Sequence, residues 1–273
     1  MQASALSSRS TATGNEALVC PPATGRTIKW RHSSYSPTCT FLPISARSLY
    51  LHAHLVPEEE LGAYSLPIGG GSGWMLDQVK SCSPRVSFTQ CVDLDEGAQA
   101  QAVTRGHAYH LGGFEQFETD RRFDLVLALD FIEHVRDPAL LLRRIEGFLT
   151  AQGRVLIKTP NFDALDARLF RHCSWAGYHT PRHFVLFNRQ SFTDLAEQSG
   201  LGVISFSYAQ GAAYWSVSVL DAMRRFGLIE ISAQRPASYH PLNPLLQASF
   251  AAVEFARAPF ARLSKMVFTL GRR

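Results

Sequence analysis

The chain has 273 residues, 46% of them hydrophobic, and a formal net charge of +4. That size holds one large α/β domain plus a tail or small subdomain, and acidic residues interleaved with basic ones argue against nucleic acid as a partner. Five cysteines (Cys20, Cys39, Cys82, Cys91 and Cys173) form no CxxC pair, so neither a disulfide framework nor a metal site is expected and a reducing, cytoplasmic setting fits.

Residues 1–45 are rich in Ser, Thr and Pro and show little periodicity, the composition of a disordered or loosely packed segment. They lack the apolar stretch of a secretory signal. From Ser45 apolar residues recur at helical intervals through Leu49, Leu55 and Leu61, with Pro57 interrupting them. Residues 46–273 are read as one domain. Its first landmark is the loop Gly69-Gly70-Gly71-Ser72-Gly73, which runs into a predicted helix from Trp74 to Val79; no convincing apolar strand precedes it. Val86 to Val92 reads as a strand ending at Asp93, Asp95 to Arg105 as a helix, and Ala108 to Leu111 as a further strand.

The stretch from Phe123 to Asn161 carries the clearest pattern. Leu125 to Leu129 is a short apolar run flanked by charge, the mark of a strand covered on both faces. Asp137 can cap a helix, and Pro138 suits its first turn. Leu141, Ile145, Phe148 and Leu149 recur at helical spacing, and Val155 to Ile157 begins a second apolar run. A strand-helix-strand crossover of this kind makes two parallel strands, and ligands of open sheets sit beyond the strands' carboxyl ends. Those ends carry Asp130, Glu133 and His134 in one case and Lys158, Thr159 and Asn161 in the other. Further on come a short helix (Asp163 to Arg171), the loop SWAGYHTPRHFVLF, a helix (Gln190 to Gln198) and a strand (Val203 to Tyr208). Two helices (Ala213 to Phe226 and Leu245 to Leu263) and a last strand (Met266 to Leu270) complete the chain. The final helix is expected to cover one face of the sheet; its Arg257 and Arg262 beside apolar residues also allow peripheral contact with a membrane. No run approaches the ~18 residues of a membrane span.

Two features suggest a nucleoside ligand. Glycines let the backbone turn sharply and approach a ligand closely. Gly69, Gly71 and Gly73 give GxGxG, whereas the dinucleotide fingerprint needs glycine at 74, where Trp74 stands. Asp93, about 20 residues on at a strand end, can accept hydrogen bonds from ribose hydroxyls. A plain glycine turn and an ordinary turn aspartate are the alternatives.

Three segments carry a resemblance to a known family: the GGGSG loop with CVDLD; FDLVLALDFIEHVRDP with LTAQGRVLIKTPN; and PNFDALDARLF followed by YHTPRHFVLFNRQSFTDLAEQSGL. The chain resembles the class I S-adenosylmethionine-dependent methyltransferases, in the bacterial group related to ubiquinone-biosynthesis O-methyltransferases. The resemblance covers about residues 64–273. It implies a Rossmann-like, doubly wound seven-stranded mixed sheet with the last strand antiparallel, and S-adenosyl-L-methionine as cofactor. It implies that Gly69, Gly71 and Gly73 border the methionine part, that Asp93 binds the ribose, that Phe114 and Glu115 lie near adenine, and that Asp130 lines the methyl-transfer centre. One departure stands out: Pro67 occupies the position where the family has an acid that helps hold the glycine loop. Methyl transfer to an oxygen of a small molecule can use a nearby base. His134, His179 and His183 are the candidates, the last two in a lid over residues 162–190. A fold that keeps only binding, with Pro67 as its support, is the rival reading; a nicotinamide-dependent oxidoreductase is disfavoured by Trp74.

Overall fold

The computed structural model describes residues 63–172, 174–232 and 235–273. The expectations for residues 1–45 and for the helical spacing through Leu61 lie outside them. Fourteen elements follow in order among the described residues: β1 (Tyr64–Pro67), α1 (Trp74–Cys82), β2 (Phe88–Asp93), α2 (Glu96–Thr104), β3 (Ala108–Leu111), β4 (Phe123–Leu129), α3 (Pro138–Phe148), β5 (Leu149–Pro160), α4 (Leu165–Phe170), α5 (Arg189–Gln198), β6 (Leu201–Ala209), α6 (Ala212–Arg225), α7 (Asn243–Arg257) and β7 (Lys265–Arg272). The strands form one sheet in the order β3-β2-β1-β4-β5-β7-β6. The first five run parallel, and β7 is antiparallel to both β5 and β6. This is the seven-stranded mixed sheet, last strand antiparallel, that the family resemblance implies.

Strand β4 explains the doubly covered sheet. Leu125, Val126, Leu127 and Ala128 are all buried. Val126 and Ala128 join a cluster with Ile145 of α3 and Phe192 of α5, while Leu125 and Leu127 join another with Val79 of α1 and Val267 of β7. Alternate side chains thus serve opposite layers, which is why the run reads as continuously apolar. Helix α3 begins where Asp137 accepts a hydrogen bond from the Leu140 amide at 2.8 Å, with Pro138 in its first turn. It buries Leu141, Leu142, Ile145 and Phe148. Each such side chain contributes about 1.5–3 kcal/mol on burial.

The structure corrects two expectations. A first strand does precede the glycine loop: Tyr64-Ser65-Leu66-Pro67 pairs with β2 on one side and β4 on the other. Support from both neighbours outweighs its weak local propensity. Pro67 is its last residue and does not break it, because the amides of Ile68 and Gly69 carry the ladder on to Leu127 O (2.8 Å) and Val92 O (2.9 Å). The C-terminal helix is shorter than read, and it packs against α6, where Trp215 and Phe250 stack at 5.1 Å. Its anchor is polar. Glu254, fully buried, accepts hydrogen bonds from Gly211 N, Trp215 Nε1 and Ser264 Oγ. No described helix is long and apolar enough to cross a membrane.

Candidate active site

The chain leaves β1 towards β2 on one side, and β4 lies on the other, so the crevice beyond their carboxyl ends is where a ligand belongs in this topology. The glycine loop lies there. Gly69, Gly71 and Gly73 have φ of 68°, 50° and 77°, a region costly to any residue with a Cβ. The surroundings differ at each. A Cβ on Gly69 would lie 2.7 Å from the Phe131 ring, and one on Gly73 2.5 Å from His107, whereas one on Gly71 would meet nothing within 4 Å. The middle glycine therefore borders open space, a cradle that a ligand can enter. Asp93 reaches this loop from the tip of β2. Its Oδ2 accepts from the Gly71 amide at 2.7 Å and its Oδ1 from the Asp95 amide at 3.1 Å. Each oxygen keeps a lone pair for a further donor. Below the loop, Cys91 is buried; burial first, and then the Asp93 charge, push its thiol up to about 12, so it stays protonated.

The second group stands at the tip of β4. Asp130 has φ of 54° and is gripped by Lys158 at 2.8 Å and Lys265 at 2.9 Å. Burial opposes its charge, but the two ammonium groups outweigh burial and hold the carboxyl well below the usual carboxylate range. Glu133 behaves in the opposite way. It is wholly buried; burial, then the nearby Asp130 charge, raise it to about 8. Its Oε2 accepts from Thr159 Oγ1 at 3.0 Å, while Oε1 has no hydrogen-bond partner. Two adjacent carboxyls of unequal environment thus divide one charge and one proton near neutral pH.

Residues 162–190 lie against this tip. The backbone amide of Phe184 donates to Glu133 O at 2.8 Å, and Asn161 bridges to Phe187. Trp175 and Tyr178 belong to this segment's own apolar cluster, with Phe162, Phe170 and Leu186. The Trp175 Nε1 donates to buried Asp166 at 2.8 Å, and its ring packs on Phe162, Tyr178 and Tyr214. The same segment brings His179 and His183 to His134, with ring centroids 4.6 Å apart for His134–His183 and 5.1 Å for His179–His183. His134 Nδ1 bonds to Arg182 O at 3.1 Å and His183 Nδ1 to Gly177 O at 2.7 Å. A carbonyl only accepts, so each Nδ1 carries the proton and each Nε2 keeps its lone pair. Burial is the main reason all three imidazoles titrate below the ordinary value, His183 at about 4. Phe131 links the two groups, since it follows Asp130 and lies against Gly69.

A sequence profile described as a methyltransferase domain matches residues 46–205. The chain belongs to the S-adenosylmethionine-dependent methyltransferases. Among curated proteins it is similar to a ubiquinone biosynthesis O-methyltransferase of Bradyrhizobium sp. (strain ORS 278), 26% identical over 58% of this chain and 66% of that one. A protein of the same description from Aeromonas salmonicida (strain A449) is 30% identical over 37% of this chain and 44% of its own length. The chain thus spans less than two thirds of either relative. Among solved structures, the O-methyltransferase from the trans-AT PKS multienzyme of Brevibacillus brevis, in complex with S-adenosyl-L-homocysteine, shares the fold. Its TM-score is 0.53 at 12% identity, covering 83% of this chain and 71% of that one.

For a methyltransferase the open side of Gly71 and the part-exposed Asp93 fit the family cofactor. Phe114 and Glu115 sit differently from each other: Phe114 is 2% exposed and packs in the core against Phe117 and Phe148, while Glu115 is exposed. Two features were not legible in the sequence. The Lys265 grip on Asp130 joins residues 135 positions apart, which no local spacing signals. The convergence of three histidines requires residues 179–183 to fold back onto the tip of β4, and cysteine spacing, the usual sign of a metal set, says nothing about it.

Proposed function

We propose that the protein methylates an oxygen of a small-molecule acceptor, with S-adenosylmethionine held by Gly69, Gly71, Gly73 and Asp93 at the crevice between β1 and β4. The observation that carries the binding half is the Asp93–Gly71 hydrogen bond, which fixes a left-handed glycine beside open space. It also answers the loss of the family's acid at position 67, because a carboxylate from β2 organises the loop instead. S-adenosylmethionine supplies a methyl group on a sulfonium, open to in-line displacement. The chain's own task is alignment and proton management. Asp130 keeps its charge at the strand tip, and the lid over residues 162–190 shields the acceptor from water. A neutral imidazole among His134, His179 and His183 takes the acceptor's proton on a free ring nitrogen. His183, buried and held by Gly177 O, serves better to position the others.

The O-methyltransferases named among the relatives support oxygen as the acceptor atom. The domain of residues 46–273 would work in the cytoplasm. Phe255 and Phe260 are exposed beside Arg257 and Arg262 and support a peripheral membrane contact. Titration calorimetry with S-adenosylmethionine tests the reading, and absence of binding at millimolar cofactor rejects it. A second reading, a fold kept for binding alone, is favoured by Pro67 and by the two lysines on Asp130. A Pro67→Asp variant separates them: if that variant still binds no cofactor, the defect exceeds one residue.

A further inference from the structure

We infer that His134, His179 and His183 form a binding site for a divalent late first-row metal ion, zinc above all, clasping the lid to the tip of β4. One ring atom from each lies within 4.8 Å of the other two. Tetrahedral neighbours about 2.1 Å from a zinc ion stand about 3.4 Å apart. Closing the gap asks for a shift of His179, the exposed ring and the one standing farthest from His134, with centroids 6.1 Å apart. The outer hydrogen bonds are those of ligating histidines. Nδ1–H of His134 and of His183 is held by a backbone carbonyl, which sets the tautomer and leaves Nε2 as donor to a metal. His179 has φ of 37°, an uncommon conformation for a residue with a Cβ, and it is held there at the point where its ring meets the other two. An all-imidazole set suits zinc, copper or nickel and disfavours magnesium or calcium. Three protein ligands leave a fourth position, the arrangement of sites that take a water or a substrate oxygen. A bound ion uses the lone pairs assigned above to proton acceptance, so the ion and a free imidazole base are alternative ways of activating the same acceptor.

The site does not depend on the methyltransferase reading, and its test does not use turnover. Zinc(II) chloride is titrated into the chelator-treated full chain, with cobalt(II) as the spectroscopic probe. One ion per chain is expected, with cobalt giving visible tetrahedral bands and no thiolate-to-cobalt charge transfer. His179→Gly removes a ligand while suiting the positive φ, and it should weaken binding at least about 10-fold. His240→Ala, away from the cluster, should leave binding unchanged. Charge-transfer absorption, which would place the ion on cysteines, overturns the site. So does equal affinity in His179→Gly, or no binding by the parent chain. Cofactor titration of the same sample distinguishes failure of this site from failure of the methyltransferase reading.

Discussion

At the scale of single residues, the site rests on atoms whose energies oppose one another. Asp93 holds the Gly71 amide and has capacity left for a ligand, so Asp93→Ala should lose at least about 10-fold in cofactor affinity by calorimetry, from one charge-assisted hydrogen bond to the loop and those to the ligand. Gly69→Ala meets the Phe131 ring at 2.7 Å in a left-handed conformation, so denaturant unfolding should show a loss of about 1–3 kcal/mol. Glu133 gives a signed pH effect. Its folded-state pKa, raised to about 8, lies above the ordinary 4.5, so the folded chain keeps a proton that the unfolded chain releases as pH rises between these values. Its contribution to stability is present below pH 4.5 and lost towards pH 8. Glu133→Gln removes that loss: the variant's stability relative to the parent should rise across this window by a few kcal/mol, since each tenfold difference in proton affinity between the two states is worth about 1.4 kcal/mol. An equal difference at pH 5 and pH 8 would contradict the assignment.

Elements differ in how openly the sequence announces them. Strand β4 and helix α3 were legible because a doubly buried strand and a capped amphipathic helix leave strong local patterns. The cap is worth about 1 kcal/mol, so Asp137→Ala should lower stability by that much in urea unfolding without altering cofactor affinity. Strand β1 was not legible: four residues ending in proline carry no periodicity, and pairing on both sides makes the strand. Helix α7 misled for the opposite reason. Its apolar residues suggested a face against the sheet, yet Leu245 and Phe255 are exposed and Glu254 is the buried contact, held by groups from α6 and from Ser264 just before β7. The glycine loop and Asp93 were legible through order and spacing. The lysines on Asp130 were not, because their partner relation exists only once β7 lies beside β5.

At the scale of the whole molecule, the tip of β4 and residues 162–190 meet through neutral groups. His134, His179 and His183 all titrate low, His183 at about 4 against an ordinary 6.5. Between these values the unfolded chain binds protons that the folded chain refuses, so stability is full above pH 6.5 and falls as pH drops towards 4. Because Glu133 acts in the opposite sense over much of this range, the histidine effect is read as a difference: the thermal midpoint of the parent should fall relative to that of His183→Gln as pH drops from 6.5 towards 4. The same neutrality keeps lone pairs available at the tip of β4, whether for a proton or for an ion. The central claim, however, is made at the glycine loop. Titration of S-adenosylmethionine into the parent chain and into Asp93→Ala decides it. One site per chain that weakens at least about 10-fold in the variant is the predicted result; no heat of binding at millimolar cofactor, or unchanged affinity in the variant, would contradict it.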